Sequence, residues 1–571
     1  MEKWVVSAKK ADFNGIAQRY GIDPLIARLI RNRDITEDEE IRRYLFATRK
    51  DIPDHRLLKD VDKAAVILAK KIREGKKIRV IGDYDIDGVT ATYILIRGFR
   101  RAGANADTYI PDRVADGYGI HEHLILRAYE EQVDTIVTCD NGIAASEEIR
   151  LAKEKGMTVI VTDHHEIPFT EEEDGRSYHL PPADAIVNPK QPDCAYPNKN
   201  ICGAVVALKL VTALYIQMGI PAEELEEFDE FAAIATVGDV MELRGENRIL
   251  VREGLKKIPH TANTGLRMLV QACGLENRKL TAYHIGFVIG PCINASGRLE
   301  TAAKSLALFM EKDSEKAQRL AENLRSLNEE RKSMTEQGVK EAVAMIDSTS
   351  LSSDRVLVVF LPDVHESIAG IIAGRLRERY YKPVFVITRG EKSLKGSGRS
   401  IEAYSMYEEI NKAGDLLIQY GGHPMAAGLS IGEENLDEFR TRLNANCSLT
   451  EEDLSEKVVI DAAMPFSYIR PDLVRQLELL EPFGKGNEKP LFAVKNAIAS
   501  SVRVIGKNRN VVKMNLRQPD GITMEALYFG DAEGFLADLA QKGSVISATY
   551  YPEINEYRGV QNLQVVLRNY Q

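Results

Sequence analysis

Short apolar runs rich in β-branched residues recur in the first half of the chain, and each ends in acidic or histidine side chains. These runs predict strands over residues 78–81, 135–138 and 158–162, each followed by a helix. Continuous apolar strands are typical of a parallel sheet that is buried on both faces. Because ligands bind beyond the carboxyl ends of such strands, the acidic groups fall where a functional site is expected.

The remainder of the chain shows three further patterns. Residues 302–346 are rich in Ala, Glu, Lys, Arg and Leu with one apolar stripe, which predicts a long connecting helix. A second α/β unit is predicted from a strand over 356–361, a helix over 367–379 and a strand over 383–388. From about residue 457, short strands separated by polar turns indicate a small β-barrel.

The predicted fold class is therefore α/β, with a parallel-sheet domain, a long connecting helix, a second α/β domain and a small C-terminal β-barrel. The expected domains are an N-terminal helical segment at 1–55, the parallel-sheet domain at 56–300, the connecting helix at 301–346, the second α/β domain at 347–450 and the barrel at 455–571.

The composition agrees with a soluble globular protein of the cytoplasm. Hydrophobic residues make up 44% and charged residues 28% of the 571 residues, and no stretch approaches the ~20 apolar residues that span a bilayer. Residues 1–10 lack the apolar core of a secretion signal, and the six cysteines include no C-x-x-C pair. The net charge of −10 counts against nucleic-acid binding, but residues 375–399 carry eight basic and only two acidic side chains.

Acidic and histidine residues form the candidate site. The residues that follow the strand ends are Asp83, Asp85, Asp87, Asp140, Asp163, His164 and His165, and Asp239 closes an apolar helical run. Converging carboxylates raise one another's pKa unless a cation neutralises them. Carboxylate and imidazole ligands without cysteine favour Mn²⁺ or Mg²⁺, and two such ions ~3.5–4 Å apart are a common device for phosphoryl hydrolysis. For one acidic turn alone, a surface turn with a helix-capping Asp is the alternative interpretation.

The order of the acidic motifs resembles that of the DHH phosphoesterase superfamily, with D-Y-D-I-D-G at 83–88, D-N-G at 140–142, D-H-H at 163–165 and G-D-V at 238–240. Further motifs resemble those of the RecJ family of single-strand-specific 5′→3′ DNA exonucleases, at 110–120, 293–299, 396–400, 421–428 and 480–492. The resemblance implies a DHH catalytic domain, a DHHA1-type substrate-binding domain and an OB-like domain that binds single strands.

The resemblance also implies how the site residues divide their roles. Two divalent cations, Mn²⁺ or Mg²⁺, would be held by Asp85, Asp87, Asp140, His164, His165 and Asp239. Asp140, as the bridging ligand, and His165, as a contact of the scissile phosphate, are the implied catalytic residues. Ile81 departs from the family pattern, because relatives often carry a His there, and Asp83 is expected to compensate. Cys292 stands where the family pattern has a basic residue.

The implied substrate-binding residues are Arg298, Ser397, Arg399, Gly421, Gly422 and His423. A flexible hairpin tip is the alternative interpretation of residues 396–400. In the OB-like domain the expected single-strand groove comprises Arg503, Lys507, Arg509 and Lys513, with a solvated edge strand as the alternative. Four aromatic residues are expected to stack on bases there, namely Phe483, Tyr550, Tyr551 and Tyr557.

The implied function is two-metal hydrolysis of single-stranded DNA from the 5′ end, which releases 5′-mononucleotides in DNA recombination and repair. Single-stranded DNA is the expected partner of a monomeric enzyme, with a single-strand-binding protein and a recombination helicase as candidate protein partners. The alternatives are a DHH phosphodiesterase of short oligoribonucleotides or cyclic dinucleotides, a DHH pyrophosphatase, and a non-catalytic DNA-binding relative. The first two lack the terminal barrel, and the third loses metal ligands that this chain keeps at every position except Ile81.

Overall fold

The computed structural model describes residues 2–113, 116–117, 119–172, 175–506, 508–557 and 559–571. These residues fold into two compact units. The core unit comprises Pro53–Met241 and Leu250–Glu456, and the terminal unit comprises Met1–Ile52, Glu242–Ile249 and Lys457–Gln571. No helix among the described residues is long and apolar enough to cross a membrane.

Strands occur in both units. They are β1 Lys3–Val6, β2 Lys77–Ile81, β3 Asn105–Tyr109, β4 Thr135–Cys139, β5 Thr158–Thr162, β6 Phe169–Glu172, β7 Gly175–Tyr178, β8 Ala185–Val187, β9 Leu357–Phe360, β10 Val384–Arg389, β11 Leu394–Arg399, β12 Leu417–His423, β13 Ala426–Ile431, β14 Lys457–Ile460, β15 Ala462–Ala463, β16 Phe492–Ile505, β17 Val511–Arg517, β18 Thr523–Phe529, β19 Val545–Tyr557 and β20 Val560–Tyr570.

Helices surround and connect the sheets. They are α1 Phe13–Tyr20, α2 Pro24–Asn32, α3 Asp38–Phe46, α4 Val61–Arg73, α5 Ile86–Arg101, α6 Glu122–Glu130, α7 Ser146–Glu154, α8 Gly203–Met218, α9 Asp229–Gly238, α10 Gly245–Lys257, α11 Thr264–Ala272, α12 Ala282–His284, α13 Gly290–Leu299, α14 Ala303–Met310, α15 Ser314–Ser348, α16 Glu366–Tyr380, α17 Met406–Asn411, α18 Leu436–Asn446, α19 Pro471–Leu477 and α20 Ala532–Gln541.

The first sheet of the core unit has the strand order β3-β2-β4-β5-β8, and every neighbouring pair is parallel. The side chains of β4 are buried along its whole length, as a continuous apolar run predicts. Helices α5 and α7 follow β2 and β4 as expected, but β5 is followed by the β6–β7 hairpin and β8 instead of a helix. Because the strands are parallel, the carboxyl ends of β2, β4 and β5 meet at one edge of the sheet.

The second sheet of the core unit has the order β12-β13-β11-β10-β9, in which only β9 and β10 are parallel. The predicted strand, helix and strand of the second α/β domain are confirmed as β9, α16 and β10. Residues 396–399 belong to β11, the middle strand of this sheet. The alternative interpretation of this segment as a flexible hairpin tip is therefore wrong.

The connecting region contains two helices, α14 and α15, where the sequence pattern predicts one. The break falls at residues 311–313, and the side chain of Asp313 accepts a hydrogen bond from the backbone N–H of Lys316 (2.9 Å), which caps α15. Helix α15 has 35 residues and reaches ~52 Å at about 1.5 Å per residue. It packs against α11 and α13 of the first α/β domain and against α16 of the second, so it joins the two domains.

The terminal unit contains a sheet that closes on itself. Its order is β15-β16-β17-β18-β20-β19, and β19 also pairs with β16, in agreement with the predicted OB-like barrel. Strand β1 pairs in parallel with β14, and helices α1, α2 and α3 contribute apolar side chains to the core of this unit. The N-terminal segment is thus part of the terminal unit.

The motif at 480–492 fixes this arrangement through Asn487, which is buried. The amide nitrogen of Asn487 donates to the carbonyl oxygens of Leu480 and Pro482 (2.8 Å each). Its amide oxygen accepts from Arg33 Nε (2.8 Å) and Tyr44 Oη (2.8 Å) on the N-terminal helices. The motif therefore has a structural role, because buried polar groups of this kind are costly to leave unpaired.

Candidate metal centre

The turn after β2 positions the first carboxylates. Asp85 caps α5, since its Oδ1 accepts from the backbone N–H groups of Asp87 (2.9 Å) and Gly88 (3.0 Å). The N–H of Ile86 in the same turn donates to Asn294 Oδ1 (2.8 Å). Strand β2 ends before the motif begins, so a tight turn, and not one face of a strand, aims the three alternating carboxylates.

Asp87 is fully buried and points at the N-terminus of α8. Its two carboxylate oxygens accept from the backbone N–H groups of Gly203 (2.6 Å) and Ala204 (2.8 Å). Burial raises the pKa of Asp87 above its ordinary value, while the charge of His164 and these two N–H groups act in the opposite direction. Gly203 could not be identified from the sequence, because it lies more than a hundred residues from Asp87 in the chain.

Asp140 occupies the left-handed region of backbone space, with φ of 59°. This conformation is uncommon for a side chain other than glycine and is often found at functional sites. It is supported by a hydrogen bond from the Asp140 N–H to the carbonyl oxygen of Thr162 (3.1 Å). A Cβ atom on Gly203 would lie 2.8 Å from Asp140 Cβ and 3.0 Å from Asp87 Oδ2. Glycine is therefore required at position 203 for these two carboxylates to approach each other.

Asp163 holds both histidines. Its Oδ1 accepts from the backbone N–H groups of His164 (2.7 Å) and His165 (3.1 Å) and lies 2.8 Å from His165 Nδ1, while Oδ2 accepts from the N–H of Ile143 (2.9 Å). Burial would raise the pKa of Asp163, but the hydrogen bond and charge of His165 hold it at about 2. Burial would lower the pKa of His165, but Asp163 raises it to about 9. Asp163 therefore acts as the partner that orients the ring of His165.

The structure brings the six sequence-predicted metal ligands together, and Asp83 joins them. Three groups of residues have ligand atoms within 4.8 Å of one another: Asp83, Asp85 and Asp140; Asp87, His164 and Asp239; and Asp140, His164 and His165. His164 Nε2 lies 3.0 Å from Asp140 Oδ1 and 3.6 Å from both Asp87 Oδ2 and Asp239 Oδ2. Asp140 and His164 are each shared by two groups, which is the arrangement expected of a centre for two ions.

The charges of this cluster fit divalent cations. Burial, followed by the charge of Asp85, raises the pKa of Asp83 to about 8, and burial with the charges of Asp87 and Asp85 raises the pKa of Asp140 well above its ordinary value. Within the described part of the chain, Asp83 Oδ1, Asp140 Oδ1 and His164 Nε2 are buried and have no hydrogen-bond partner. Carboxylate oxygens and imidazole nitrogens without thiolates suit Mn²⁺ or Mg²⁺.

Ile81 is fully buried in an apolar cluster beneath the site. It cannot act as a ligand, and the carboxylate of Asp83 lies in the group that contains Asp85 and Asp140. Cys292 is also buried, with its Sγ 3.8 Å from Cys273 Sγ and 3.5 Å from Asn328 Nδ2. Cys292 therefore packs against α15. It does not supply the contact with a nucleic-acid backbone that a basic residue at this position would make.

Arginine side chains gather next to the carboxylates. Arg298 at the end of α13 donates from Nη1 to the carbonyl oxygen of Ser367 (2.6 Å) at the start of α16. Burial, followed by the charges of Arg113 and Arg331, lowers the pKa of Arg298 to about 9, and burial also lowers the pKa of Arg399. The guanidinium group of Arg113 lies 4.0 Å from the ring centre of Tyr84. We call Arg113, Arg298, Arg331 and Arg399 the arginine cluster.

The second sheet presents most of the predicted substrate-binding residues on one face. Ser397 pairs with Gly428 and Gly428 with Gly421, while Arg399 pairs with Ala426 and Ala426 with His423. Paired residues of neighbouring strands point to the same face. A Cβ on Gly370 of α16 would lie 2.7 Å from Ser397 Oγ and 2.9 Å from Arg399 Nη2, so a glycine allows α16 to cover this pair closely.

Gly422 differs from its neighbours. It alternates to the opposite face of β12, and a Cβ there would lie 2.6 Å from the Cα of Ala427 at a φ of 153°. Packing within the sheet therefore accounts for this glycine, and the structure does not bring it to the face that carries Arg399.

The predicted groove of the terminal unit is only partly assembled. Arg503 and Lys513 are cross-strand partners, and Lys513 also forms an ion pair with Glu525 (2.7 Å). Arg509 lies in the turn between β16 and β17, with φ of 51°, and Lys507 lies outside the described residues. The structure therefore brings Arg503 and Lys513 together.

The expectation that aromatic residues of the terminal domain stack on bases is wrong for two of the four. Tyr550 is fully buried and donates from its hydroxyl to the carbonyl oxygen of Met464 (2.5 Å), and Tyr551 is buried beside it. Phe483 is half-buried with its ring edge-on to Tyr551. The side chain of Tyr557 lies outside the described residues. Tyr550 and Tyr551 serve the core of the domain.

A cluster of carboxylates and histidines at parallel strand ends, beside a second sheet that presents Ser397 and Arg399, defines a phosphoesterase of the DHH class. Family comparisons agree with this class. The DHH family, N-terminal domain, matches residues 77–238, the DHHA1 domain matches residues 353–449, and the RecJ OB domain matches residues 460–569.

Individual relatives narrow the class to one family. The chain is 34% identical to the single-stranded-DNA-specific exonuclease RecJ of Bacillus subtilis, over 99% of this chain and 70% of that protein. It is 31% identical to RecJ of Escherichia coli, over 96% of both chains. The crystal structure of RecJ in complex with Mn²⁺ from Thermus thermophilus matches with a TM-score of 0.83 and 30% identity, over 100% of this chain and 79% of that one. The chain belongs to the RecJ family, which confirms the resemblance of its motifs.

Proposed function

We propose that this chain is a metal-dependent exonuclease that degrades single-stranded DNA from the 5′ end and releases 5′-mononucleotides, in DNA recombination and repair in the cytoplasm. Its relatives are named single-stranded-DNA-specific exonucleases, and crystal structures of RecJ from Thermus thermophilus contain Mn²⁺ or Mg²⁺. The assembled ligand groups favour a catalytic protein over a non-catalytic DNA-binding relative. A single-strand-binding protein and a recombination helicase stay predictions of the sequence.

The observation that carries the proposal is a set of guanidinium groups without acidic partners. In the described part of the chain, Arg298, Arg331 and Arg399 donate hydrogen bonds only to carbonyl, amide or hydroxyl oxygens. Positive charges gathered away from water require a compensating anion, and guanidinium groups bind phosphate with two parallel hydrogen bonds. A nucleic-acid backbone supplies such phosphates next to the carboxylate cluster.

The residues of the centre divide the reaction between them. Divalent cations bound there supply positive charge that lowers the pKa of a water molecule and stabilises the transition state of phosphoryl transfer. Asp140 would bridge the two ions, and its presence in both the group with Asp85 and the group with His165 supports this role. Asp163 fixes the His165 ring through Nδ1, and we assign the opposite ring nitrogen, Nε2, to the contact with the scissile phosphate.

Polarity needs an anchor apart from the metal centre, because hydrolysis at metal ions does not distinguish the ends of a strand. Ser397 and Arg399 supply a hydroxyl and a guanidinium group on one face of β11, with Arg298 bonded to the start of α16 that covers them. A terminal 5′-phosphate bound by Ser397 and Arg399 leaves the first internucleotide phosphate for the carboxylate cluster.

Replacing the anchor tests this assignment. Arg399→Ala should lower kcat/KM on 5′-phosphorylated strands by about 10- to 150-fold, the equivalent of the ~1.5–3 kcal/mol of a charge-assisted hydrogen bond. The loss on 5′-hydroxyl strands should be much smaller. Both strands are measured with wild type, Arg399→Ala and the control Arg389→Ala, whose side chain is 60% exposed on the neighbouring strand. An equal loss on both strands would make Arg399 a general backbone contact.

The terminal groove is tested by salt dependence. The apolar residues of α1–α3 lie in the core of the terminal unit, so surface variants are a cleaner probe than truncation. Arg503→Ala with Lys513→Ala should reduce the slope of log affinity against log salt by about 1.4, or about 0.7 for each lost phosphate contact on a single strand. Arg475→Ala, on α19, is the control. An unchanged slope would place the groove elsewhere.

A further inference from the structure

A continuous helical segment links the arginine cluster to a pair of exposed aromatic rings. It comprises α12, a π-helical turn at Ile285–Ile289 and α13, and so runs from Ala282 to Leu299. One stripe of this segment stays at least partly exposed, at positions 287, 291, 294 and 298. Spacings of four, three and four residues place these positions along one face. Single π-helical turns within α-helices are frequent at functional sites.

Both ends of this stripe adjoin the metal centre. Asn294 Oδ1 accepts from the N–H of Ile86, directly after Asp85, and Arg298 belongs to the arginine cluster. Near the other end, a Cβ on Gly286, the residue before Phe287, would lie 3.5 Å from Val237 Cγ1, two residues before Asp239. The helical segment therefore runs from the arginine cluster, past the turn after Asp85, to the end of α9 next to Asp239.

The aromatic pair at this far end consists of Tyr283 and Phe287. The side chains are 62% and 63% exposed, and the rings are stacked with centroids 4.9 Å apart and planes 23° apart. Arg278 and Lys279, both exposed, precede the pair. Exposed aromatic faces beside basic side chains are how proteins hold single-stranded nucleic acid without sequence preference.

We propose that Tyr283 and Phe287 form a stacking platform for bases on the 3′ side of the scissile phosphate. This inference rests on the proposed function. Phe287 and Arg298 are eleven residues apart, or ~16 Å along a helix. A strand with a rise of about 3.4 Å per nucleotide covers this distance in about five nucleotides, and an extended strand in fewer. The platform holds the strand behind the cleavage point while each new 5′-phosphate enters the anchor.

The test compares short and long substrates with the variant Tyr283→Ala/Phe287→Ala. Binding of a long 5′-phosphorylated strand in EDTA should weaken by about 5- to 150-fold for each base stacked. Cleavage of a 5′-phosphorylated dinucleotide should stay as in wild type, because it is too short to reach the platform. Tyr129→Ala, at a side chain 50% exposed elsewhere in the core unit, is the control. Tyr283→Ala/Phe287→Trp, which returns one aromatic ring to the platform, should recover part of the lost affinity.

Abasic substrates locate the contact. Strands that lack one base, at a single position from the third to the seventh nucleotide, are bound to the wild-type protein. Where the missing base is the stacked one, the affinity should fall to that of a complete strand for the double variant. The same lesion should cost the double variant nothing further, because the two changes remove one interaction. Measuring the affinity of intact strands with one abasic site at each of these positions in turn identifies the stacked nucleotides.

Three outcomes would overturn the platform. They are an equal loss on the dinucleotide and the long strand, abasic losses that add to those of the variant, and self-association of wild type that the variant abolishes. The last would mark the rings as a protein contact. If wild type cleaves no 5′-phosphorylated strand, the proposed function fails; if it cleaves and the double variant behaves identically, only the platform fails.

Discussion

Asp140→Asn is expected to reduce hydrolysis of single-stranded DNA by at least about a thousandfold. The substitution removes a charge shared by two ligand groups. Metal ions stabilise the transition state of phosphoryl transfer by several kcal/mol, and each ~1.4 kcal/mol corresponds to a factor of ten in rate. Single-turnover cleavage of a 5′-phosphorylated strand, over a range of Mn²⁺ concentrations, measures the loss.

Folding and DNA binding should survive this substitution. Asp140 is buried among like charges that raise its pKa, so loss of its charge relieves repulsion and should maintain or raise the melting temperature in EDTA. Strand affinity in EDTA should be maintained, since the arginine cluster is intact. Asp193→Asn, at a carboxylate paired with Lys59 on the surface, is the matched control. Turnover close to wild type in Asp140→Asn would contradict a centre built on Asp140.

Gly203→Ala is expected to impair the same centre by pushing Asp87 and Asp140 apart. The added methyl group would lie 2.8 Å from Asp140 Cβ and 3.0 Å from Asp87 Oδ2. The Asp87 carboxylate cannot withdraw without breaking its hydrogen bonds to α8, and the backbone N–H of Asp140 is tied to the carbonyl oxygen of Thr162. Displacing a reacting group by about 1 Å typically costs on the order of a hundredfold in rate. We expect a loss of this size in kcat/KM, together with a higher Mn²⁺ concentration at half-maximal activity.

Gly374→Ala serves as the control for this substitution. Gly374 lies in α16, and a Cβ there would meet no atom within 4 Å. It should leave the dependence on Mn²⁺ unchanged. A Gly203→Ala protein with the Mn²⁺ dependence of wild type would show that the two carboxylates tolerate a wider separation than the structure indicates.

The strand ends and the order of the acidic motifs could be predicted from the sequence, because short apolar runs of four or five residues indicate both the strands and the edge at which they end. The partners of the carboxylates could not. Asp87 binds the N-terminus of α8 more than a hundred residues away, and nothing in the local sequence around Gly203 marks this contact. Asp163 is the hydrogen-bond partner of His165. The only sequence feature that points to this role is its position directly before the two histidines.

The terminal unit shows a different limit of sequence reasoning. Strand β1 pairs with β14, with Lys3 opposite Lys457. Because these strands are far apart in the sequence, no local pattern predicts that they pair. Alternation along β19 predicts that one of Tyr550 and Tyr551 faces outward. Both rings are nevertheless buried. Tyr550 lies in the core of the unit, and Tyr551 is covered by the ring of Phe483 and by the ammonium group of Lys489, 3.8 Å from its ring centre.

Digestion of end-labelled strands tests the central claim most directly. Single strands and duplexes carrying a 5′-phosphate and a label at either end are incubated with Mn²⁺, Mg²⁺ or EDTA. We expect that a 5′ label is released at once as a mononucleotide, that a 3′-labelled single strand shortens progressively from its 5′ end, and that duplexes and EDTA samples remain intact. Release of the 3′ label first, or cleavage in EDTA, would contradict it.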